Sequence, residues 1–314
     1  MLLAAGALTL PAFSQVEIVP GPEKISIRIH GQPYTDFFVA GAEVTKPYLH
    51  PLRAASGTYV TRMWPMEKVA EEAGIAKPDH PHHRGVWFAH ESVNGLDFWN
   101  NDAAYTTPNR GKIVLDKIGA IRNGKAQGSL AATFDWTDLQ GHKLLTESRV
   151  MTFYDDPKLR IIDFDITLTP VEKVTFGDGK DGAFGIRLRP ALNEDKGSGH
   201  IVNADGLETE KQVWGKPSNW CDYSGEINGE KVGIAILDHP ANPHHPVRWH
   251  ARAYGLFAAN PFGLAVFTGD KSRNGSIAVE PGQTLRFRYR VIVHPGDVKT
   301  ADIAAEWTRY TGAK

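Results

Sequence analysis

The sequence lacks the features that mark several large protein classes. Its 314 residues include one cysteine, Cys221, which excludes an internal disulfide and any site built from several thiolates. No apolar run reaches the roughly 18 residues that a membrane-spanning helix needs. A basic excess is also missing, because 35 lysines and arginines face 36 aspartates and glutamates and the formal net charge is −1. This composition argues against integral membrane proteins and nucleic-acid-binding proteins.

Sequence motifs of several enzyme classes are missing as well. The chain has no glycine-rich phosphate-binding loop, no serine-nucleophile elbow and no HExxH sequence. These absences argue against nucleotide-dependent chemistry, simple serine esterases and zinc proteases whose ligands lie on a helix.

Histidine is the residue in excess. The chain has 13 histidines, and eight of them fall in two windows, residues 79–101 and 238–263. Four imidazoles and an arginine in the first window are costly to bury without a function. Because the two windows carry the same residue types, we predict that they meet at one end of the fold and line a single cleft.

The first 14 residues, MLLAAGALTLPAFS, predict a signal peptide. Their apolar stretch ends in Ala12-Phe13-Ser14, the small-x-small pattern that precedes a signal-peptidase cut. We therefore expect a mature chain that begins at Gln15 and works in the periplasm or outside the cell. Residues 15–314 contain no linker rich in proline, serine or charge, and we predict that they form a single domain.

Apolar and polar residues alternate along much of the chain, as is typical of antiparallel strands. The clearest segments are 24–30, 113–122, 129–137, 143–153, 159–169 and 285–293. The span 112–169 reads as four long antiparallel strands. Turn pairs such as Asn123-Gly124 and Asn228-Gly229 predict hairpins. Glu147 lies on one of the predicted strands and is expected to face solvent.

Helical periodicity is limited to 65–73 and 300–310. The sequence therefore predicts an all-β fold, a large antiparallel β-sandwich with one or two short helices. Residues 44–64, 75–110 and 238–263 show no alternation, and we predict long loops there. Long ordered loops on a rigid sheet scaffold are where function is usually located.

The residue types in these loops suggest roles in acid–base chemistry on a sugar. We predict proton transfer by His83 and His250, with His82 and His90 as further candidates, because imidazole titrates nearest neutrality. Aromatic faces, forked guanidinium groups and polar side chains suit a sugar ring and its hydroxyls. The predicted substrate-binding residues are Arg53, Arg84, Asp97, Trp99, Arg187, Asp222, Tyr223, Trp249 and Asn260.

Two alternatives to this enzyme remain open. The same aromatic and arginine-lined cleft could belong to a non-catalytic glycan-binding protein. It could also hold a divalent transition metal, because an extended His-Pro-His segment places His80 and His82 on one face. The sequence indicates no other cofactor. The expected partner is a small-molecule or oligosaccharide substrate.

Four motifs resemble one bacterial family. They are DHPHHRGVWFAHESVNGLDFW at 79–99, DGAFGIRLRP at 181–190, NWCDYSGEING at 219–229 and HPVRWHARAYGLFAANPFG at 245–263. They resemble the DUF6807 family, whose members often carry a methane-oxygenase name. That name does not suit this chain, because the particulate methane oxygenase is a membrane protein.

The resemblance implies a fold and a substrate class. It implies an exported protein of glycan-degrading bacteria, with a supersandwich similar to galactose-mutarotase-like domains. In mutarotase-like enzymes a histidine and a carboxylate act as acid and base on a sugar. The sequence supplies histidines for this role, but no single carboxylate stands out as their partner.

Overall fold

The computed structural model describes residues 15–72 and 79–312, so the predicted signal peptide at 1–14 lies outside the described residues. The described chain contains two eight-stranded antiparallel sheets and one two-stranded sheet. The all-β sandwich expected from the alternating pattern is confirmed. No helix within the described ranges is long and apolar enough to cross a membrane.

The strands follow one another in chain order as β1 (Val16–Pro20), β2 (Lys24–Ile29), β3 (Gln32–Phe38), β4 (Tyr48–His50), β5 (Val86–His90), β6 (Lys112–Arg122), β7 (Gln127–Thr137), β8 (Lys143–Tyr154), β9 (Arg160–Pro170), β10 (Val174–Phe176), β11 (Gly182–Arg187), β12 (His200–Asn203), β13 (Trp220–Ile227), β14 (Glu230–Asp238), β15 (Arg248–Ala251), β16 (Leu256–Asn260), β17 (Ile277–Val279) and β18 (Leu285–Pro295). The α-helices are α1 (Thr209–Val213), α2 (Leu264–Thr268) and α3 (Ile303–Gly312), and short 3₁₀ turns occur at Ala70–Glu72 and Pro190–Leu192.

Strand order separates the chain into two sheets. The first sheet runs β1-β2-β3-β4-β5-β11-β16-β15, and the second runs β12-β13-β14-β18-β9-β8-β7-β6. The four strands expected over 112–169 are β6 to β9, which pair consecutively and antiparallel. The hairpin expected at Asn228-Gly229 joins β13 to β14.

The inner faces of the two sheets form one continuous core. Phe184 of β11 in the first sheet lies 4.8 Å, centroid to centroid, from both Phe164 and Tyr289 of the second sheet. Successive side chains on a strand point to opposite faces, so Arg187 projects from the outer face of the first sheet. Trp87 is the cross-strand neighbour of Gly185, and it shares that outer face.

Helix α3 covers part of the outer face of the second sheet. Ile303 and Tyr310 pack against Leu237 and Ile292, and the indole of Trp307 donates a 3.0 Å hydrogen bond to the backbone carbonyl of Asp238. The helix expected over 300–310 is therefore present, shifted by three residues at its start and two at its end.

The prediction of long loops at 44–64, 75–110 and 238–263 is wrong in part. These segments contain β4, β5, β15 and β16, and every residue of β4, β5 and β16 is buried. A strand that is covered on both faces has no polar side to alternate with its apolar side. The pattern that identified the strands of the second sheet therefore missed these strands of the first.

The helix expected at 65–73 is also not seen over its described part, which holds turns and the single 3₁₀ turn at Ala70–Glu72. The carboxylate of Glu72 accepts hydrogen bonds from the backbone N–H groups of Met63 (3.0 Å) and Trp64 (3.1 Å). This contact ties the ends of the segment together, whereas a helix would hold them on the order of 12 Å apart. Helices α1 and α2 were not expected, because each is only five residues long.

Candidate functional site

A stack of four rings lies over the outer face of the first sheet. The ring of Tyr254 lies parallel to His80 at 5.5 Å, His80 lies parallel to His83 at 4.8 Å, and His83 lies 5.2 Å from Trp87. We call these four residues the ring stack. It runs from the partly exposed Tyr254 down to the buried Trp87. Because Tyr254 belongs to the second histidine window, the stack also joins the two windows.

Asp79 anchors the exposed end of this stack. Its carboxylate accepts hydrogen bonds from Arg62 (2.8 Å) and Arg187 (3.1 Å) and pairs with Nδ1 of His80 at 2.8 Å. Burial alone would raise the pKa of Asp79, but the His80 hydrogen bond and the two guanidinium charges outweigh it and lower that pKa below its usual range. The carboxylate is therefore ionised throughout the neutral pH range.

The arginines hold the backbone of the loop as well as its acid. Besides the Asp79 carboxylate, Arg62 donates to the backbone carbonyls of Asp79 (3.1 Å) and His80 (2.9 Å). Arg62 and Arg187 are both buried, and Arg187 lies 4.7 Å from the ring of Tyr254. These contacts give residues 79–83 a defined geometry although no strand or helix includes them.

His82 and His83 are buried beneath the loop. Burial, followed by the neighbouring cations and imidazoles, lowers the pKa of both far below the usual histidine value. A guanidinium can only donate, so Nδ1 of His83 accepts the 3.1 Å hydrogen bond from Arg187. His82 pairs through Nδ1 with the hydroxyl of Tyr105 at 2.9 Å. Both imidazoles are therefore neutral at neutral pH and cannot serve there as protonated acids.

His80 differs from its two neighbours in exposure. Its side chain is 43% exposed, and its backbone has φ 49°, a left-handed conformation that costs a non-glycine residue roughly 1–2 kcal/mol. Since the Asp79 carboxylate can only accept, Nδ1 of His80 carries the proton of their hydrogen bond. His80 therefore combines an oriented imidazole, a carboxylate partner and access to solvent.

A second polar group lies below the loop around Lys46. The buried ammonium donates to the backbone carbonyl of Trp99 (2.8 Å) and to the side chain of Asn101 (2.6 Å). Burial, with the nearby Arg84 charge, lowers the pKa of Lys46 to about 7. Arg84 itself pairs with Asp102 and Glu43, each at 3.1 Å. These contacts fix the segment that carries Trp99, which packs edge-on against Trp87 at 4.9 Å.

His90 and His250 lie away from the ring stack and hold one neighbouring loop. Nε2 of His90 pairs with the carbonyl of Gly177 at 2.7 Å, and Nδ1 of His250 pairs with the carbonyl of Lys180 at 3.0 Å. Asn260 donates to the Lys180 carbonyl as well, at 2.7 Å. Burial lowers the pKa of both histidines to about 4. These contacts position the backbone of 177–181 and do not single out His250 or His90 for proton transfer.

The structure places three of the other expected substrate-binding residues in the interior. Trp249 is fully buried and stacks on Phe257 at 6.0 Å. Tyr223 spans the core, and its hydroxyl bonds backbone groups of Glu194 and Ala253. Asp222 is fully buried in the second sheet. We therefore leave these three residues out of the candidate site.

Asp97 and Arg53 also lie outside the ring stack. The carboxylate of Asp97 accepts from the backbone N–H groups of Trp99 and Asn100 and so closes its own turn. Arg53 lines a separate groove on the first sheet. Of the expected residues, the structure therefore brings His80, His82, His83, Trp99 and Arg187 together.

Comparison with family models identifies the chain. Residues 24–308 match the model of a family described as a family of unknown function, DUF6807. The chain belongs to the DUF6807 family. This confirms the family expected from the four motifs. Among curated proteins, none matches the sequence.

Several solved structures share similarity with this DUF6807 protein. A galactose mutarotase-like protein from Clostridium acetobutylicum is 9% identical with a TM-score of 0.43, over 90% of this chain and 99% of that chain. A galactose mutarotase-like protein from Lactobacillus casei is 8% identical with a TM-score of 0.40, over 89% and 100%. A GH36 α-galactosidase from Geobacillus stearothermophilus is 9% identical with a TM-score of 0.41, over 90% of this chain and 40% of that chain.

The residues of this DUF6807 site that the sequence pattern did not single out are Asp79, Arg62 and Tyr105. Asp79 carried a usable signal, since it stands directly before His-Pro-His in a motif that had already been singled out. Arg62 carried none, because it comes close to His80 only through the pairing of distant strands. Within 15–72 and 79–312, no group of three or more His, Cys, Asp or Glu side chains is arranged to hold a metal ion.

The buried pair of Asp222 and His294 should make stability depend on pH. Their side chains lie 2.6 Å apart and are fully buried. Burial alone would lower the pKa of His294, but the Asp222 charge and hydrogen bond raise it above the usual value. A raised folded-state pKa stabilises the fold below the unfolded value of about 6.5, and this contribution is lost as the pH rises through the folded-state pKa.

We expect the difference in melting temperature between the wild type and His294→Gln to decrease as the pH is raised from about 6.5 through the folded-state pKa of His294. His142→Gln is the matched control, because His142 pairs with Glu172 at 3.0 Å on the surface. A constant difference between wild type and His294→Gln at all pH values would contradict the assignment.

Proposed function

We propose that this DUF6807 protein is a carbohydrate-active enzyme in which His80 transfers a proton. Asp79 orients the imidazole of His80 and stabilises its positive charge. The observation that carries the proposal is the exposed Asp79–His80 pair held by two buried arginines. An imidazole oriented by a carboxylate is a common device for general acid–base catalysis. In this proposal Asp79 is the carboxylate partner that the sequence alone left unassigned. The proton-transfer role is assigned to His80 in place of His83 and His250.

Three partly exposed aromatic side chains near the Asp79–His80 pair favour a sugar as the substrate. Tyr254 stacks on His80, Tyr105 bonds His82, and Trp64 lies 5.0 Å from the guanidinium of Arg62. Each of these three side chains is partly exposed. Such rings present an apolar face beside polar groups, which suits the CH face and the hydroxyls of a pyranose. The neutral imidazoles of His82 and His83 would serve this site as hydrogen-bonding supports.

A substrate-depletion screen tests the proposal. The purified protein is incubated with neutral glycosides, uronic-acid glycosides and 3-keto-glycosides, and products are separated by chromatography. We expect at least one sugar class to be converted by the wild type and not by His80→Ala. Binding of sugars without conversion of any of them would contradict the enzyme and favour a glycan-binding protein.

A further inference from the structure

A concave, positively charged surface lies away from the ring stack, mainly on the first sheet, with Arg160 contributed by β9 of the second sheet. Two adjoining cavities, of about 230 and 290 Å³, share Pro33 and Arg53 in their walls. The first is also lined by Lys24 and Arg28, and the second by Arg160. We call this surface the basic groove.

The positive charge of the basic groove is incompletely neutralised. Lys24 is paired with Asp36 at 2.7 Å. Arg53 donates to the carbonyl of Gly57 (3.2 Å), and the buried Arg160 donates to backbone carbonyls at 2.9 and 3.0 Å. Across the described parts of the chain, no ion pair is formed by Arg28, Arg53 or Arg160. Carbonyls can satisfy guanidinium N–H groups without cancelling their charge, so the groove favours an anionic ligand.

A buried hydroxyl adds a polar contact to the groove. Thr35 lines the first cavity, is only 4% exposed, and its hydroxyl has no hydrogen-bond partner among the described residues. A buried hydroxyl without a partner costs about 1–3 kcal/mol, which a ligand group could recover by bonding to it. The groove therefore offers both charge and a directional hydrogen bond.

The ring stack and the part of the basic groove formed by β2 and β3 lie along the first sheet. Lys24 and Asp36 are on β2 and β3, whereas Trp87 is on β5, two strands beyond β3 in the sheet order. Neighbouring strands lie about 4.8 Å apart, so the two places are separated by on the order of 10–15 Å. The chain also connects them, because the segment that starts at Arg53 pairs back at Tyr59 and continues to Arg62. One extended ligand could therefore reach both.

We propose that the basic groove binds the carboxylate or sulfate groups of an acidic oligosaccharide whose neighbouring unit reaches the ring stack. This inference rests on the proposed function for its choice of a sugar. Each of the two cavities has a volume that suits about one sugar ring, so the pair of cavities suits neighbouring rings of one oligosaccharide. The overall charge of −1 argues against a nucleic-acid surface, which would extend well beyond one groove.

Titration calorimetry with matched ligands tests this proposal. The probes are trigalacturonate, its methyl ester, a sulfated carrageenan oligosaccharide, inorganic sulfate and a short single-stranded DNA. We expect an acidic oligosaccharide to bind at least about tenfold more tightly than the neutral ester, because charge-assisted hydrogen bonds are lost with the charge. Comparison of the two acidic sugars distinguishes carboxylate from sulfate recognition.

Charge reversal locates the binding surface. We expect Arg53→Glu and Arg28→Glu each to weaken binding of the acidic sugar by about tenfold or more, at an unchanged melting temperature. Lys117→Glu is the control, because it makes the same charge change at an exposed site on β6 of the other sheet. Equal affinity for acid and ester, an unchanged affinity in both groove variants, or tighter binding of DNA or free sulfate would overturn the proposal.

The two proposals fail in distinguishable ways. Conversion of neutral glycosides by the wild type, with no preference for acidic ones, would overturn the groove assignment and leave the proposed function standing. Binding of trigalacturonate at the groove without conversion of any sugar would support the groove and overturn the enzyme.

Discussion

Replacing His80 by alanine should lower turnover of the sugar substrate by about 10²–10⁴-fold, the usual contribution of a general acid–base group. The side chain is 43% exposed and lies outside the core, so we expect the melting temperature to stay close to that of the wild type. Removing the imidazole leaves the Asp79 contacts with Arg62 and Arg187 in place. Steady-state kinetics and thermal melting on the same preparations measure both effects.

His142→Ala is the matched control for His80→Ala. His142 also pairs with a carboxylate, Glu172, at 3.0 Å on the surface, but it lies after β7, on the other sheet. We expect this control to keep wild-type turnover. Asp79→Asn should retain part of the activity, since an amide can still orient the ring but cannot stabilise its positive charge. Full activity in His80→Ala on a proven substrate would remove His80 from the proton-transfer role.

Glu147→Ala should lower the free energy of unfolding by about 3–5 kcal/mol, because it leaves a buried guanidinium without its counter-charge. Glu147 and Arg149 are both buried in the core, 2.6 Å apart, and the indole of Trp136 donates to the same carboxylate at 3.0 Å. Arg149 also lies 5.4 Å from the ring of Phe134. The expectation that Glu147 faces solvent is therefore wrong, because β8 turns this pair toward the first sheet.

Denaturant unfolding of three variants measures the Glu147 effect. The double variant Glu147→Leu with Arg149→Met should be much closer to the wild type than Glu147→Ala, since replacing both charges removes the unpaired one. Asp165→Ala is the surface control, because the Asp165–Arg286 pair is largely exposed and should change stability by about 1 kcal/mol or less. A small loss in Glu147→Ala would show that Arg149 reaches water or another partner.

Alternation of side chains was the most dependable signal in this sequence. It located β6 to β9 and β18 within two residues at each end, because one face of each of these strands carries polar or exposed side chains. It failed for β4, β5 and β16, whose outer faces are covered by other parts of the chain. The strands beneath the candidate site were thus the hardest to identify, because their outer face is covered by loops.

Histidine content located the region of the candidate site but not the roles within it. The solvent exposure of His80, His83 and His250 depends on which loops lie above each strand. It cannot be predicted from the neighbouring residues in the sequence. His83 and His80 are three positions apart, yet one is buried under the loop and the other is exposed at its surface. Exposure and hydrogen-bond partner, not residue type, separate a candidate catalytic imidazole from a structural one.

The sequence by itself determined the all-β class, the antiparallel run from β6 to β9, the family and the histidine-rich segment at 79–101. These follow from local periodicity, turn residues and contiguous motifs, all of which involve residues that are close together in the sequence. Only the tertiary structure decided that Asp79 is the carboxylate partner of His80 and that Arg62 and Arg187 converge on it. Arg187 is 108 residues from Asp79, and their contact depends on β11 pairing with β5 in one register. Strand order and register depend on packing across the whole sandwich, so no local pattern could have specified them.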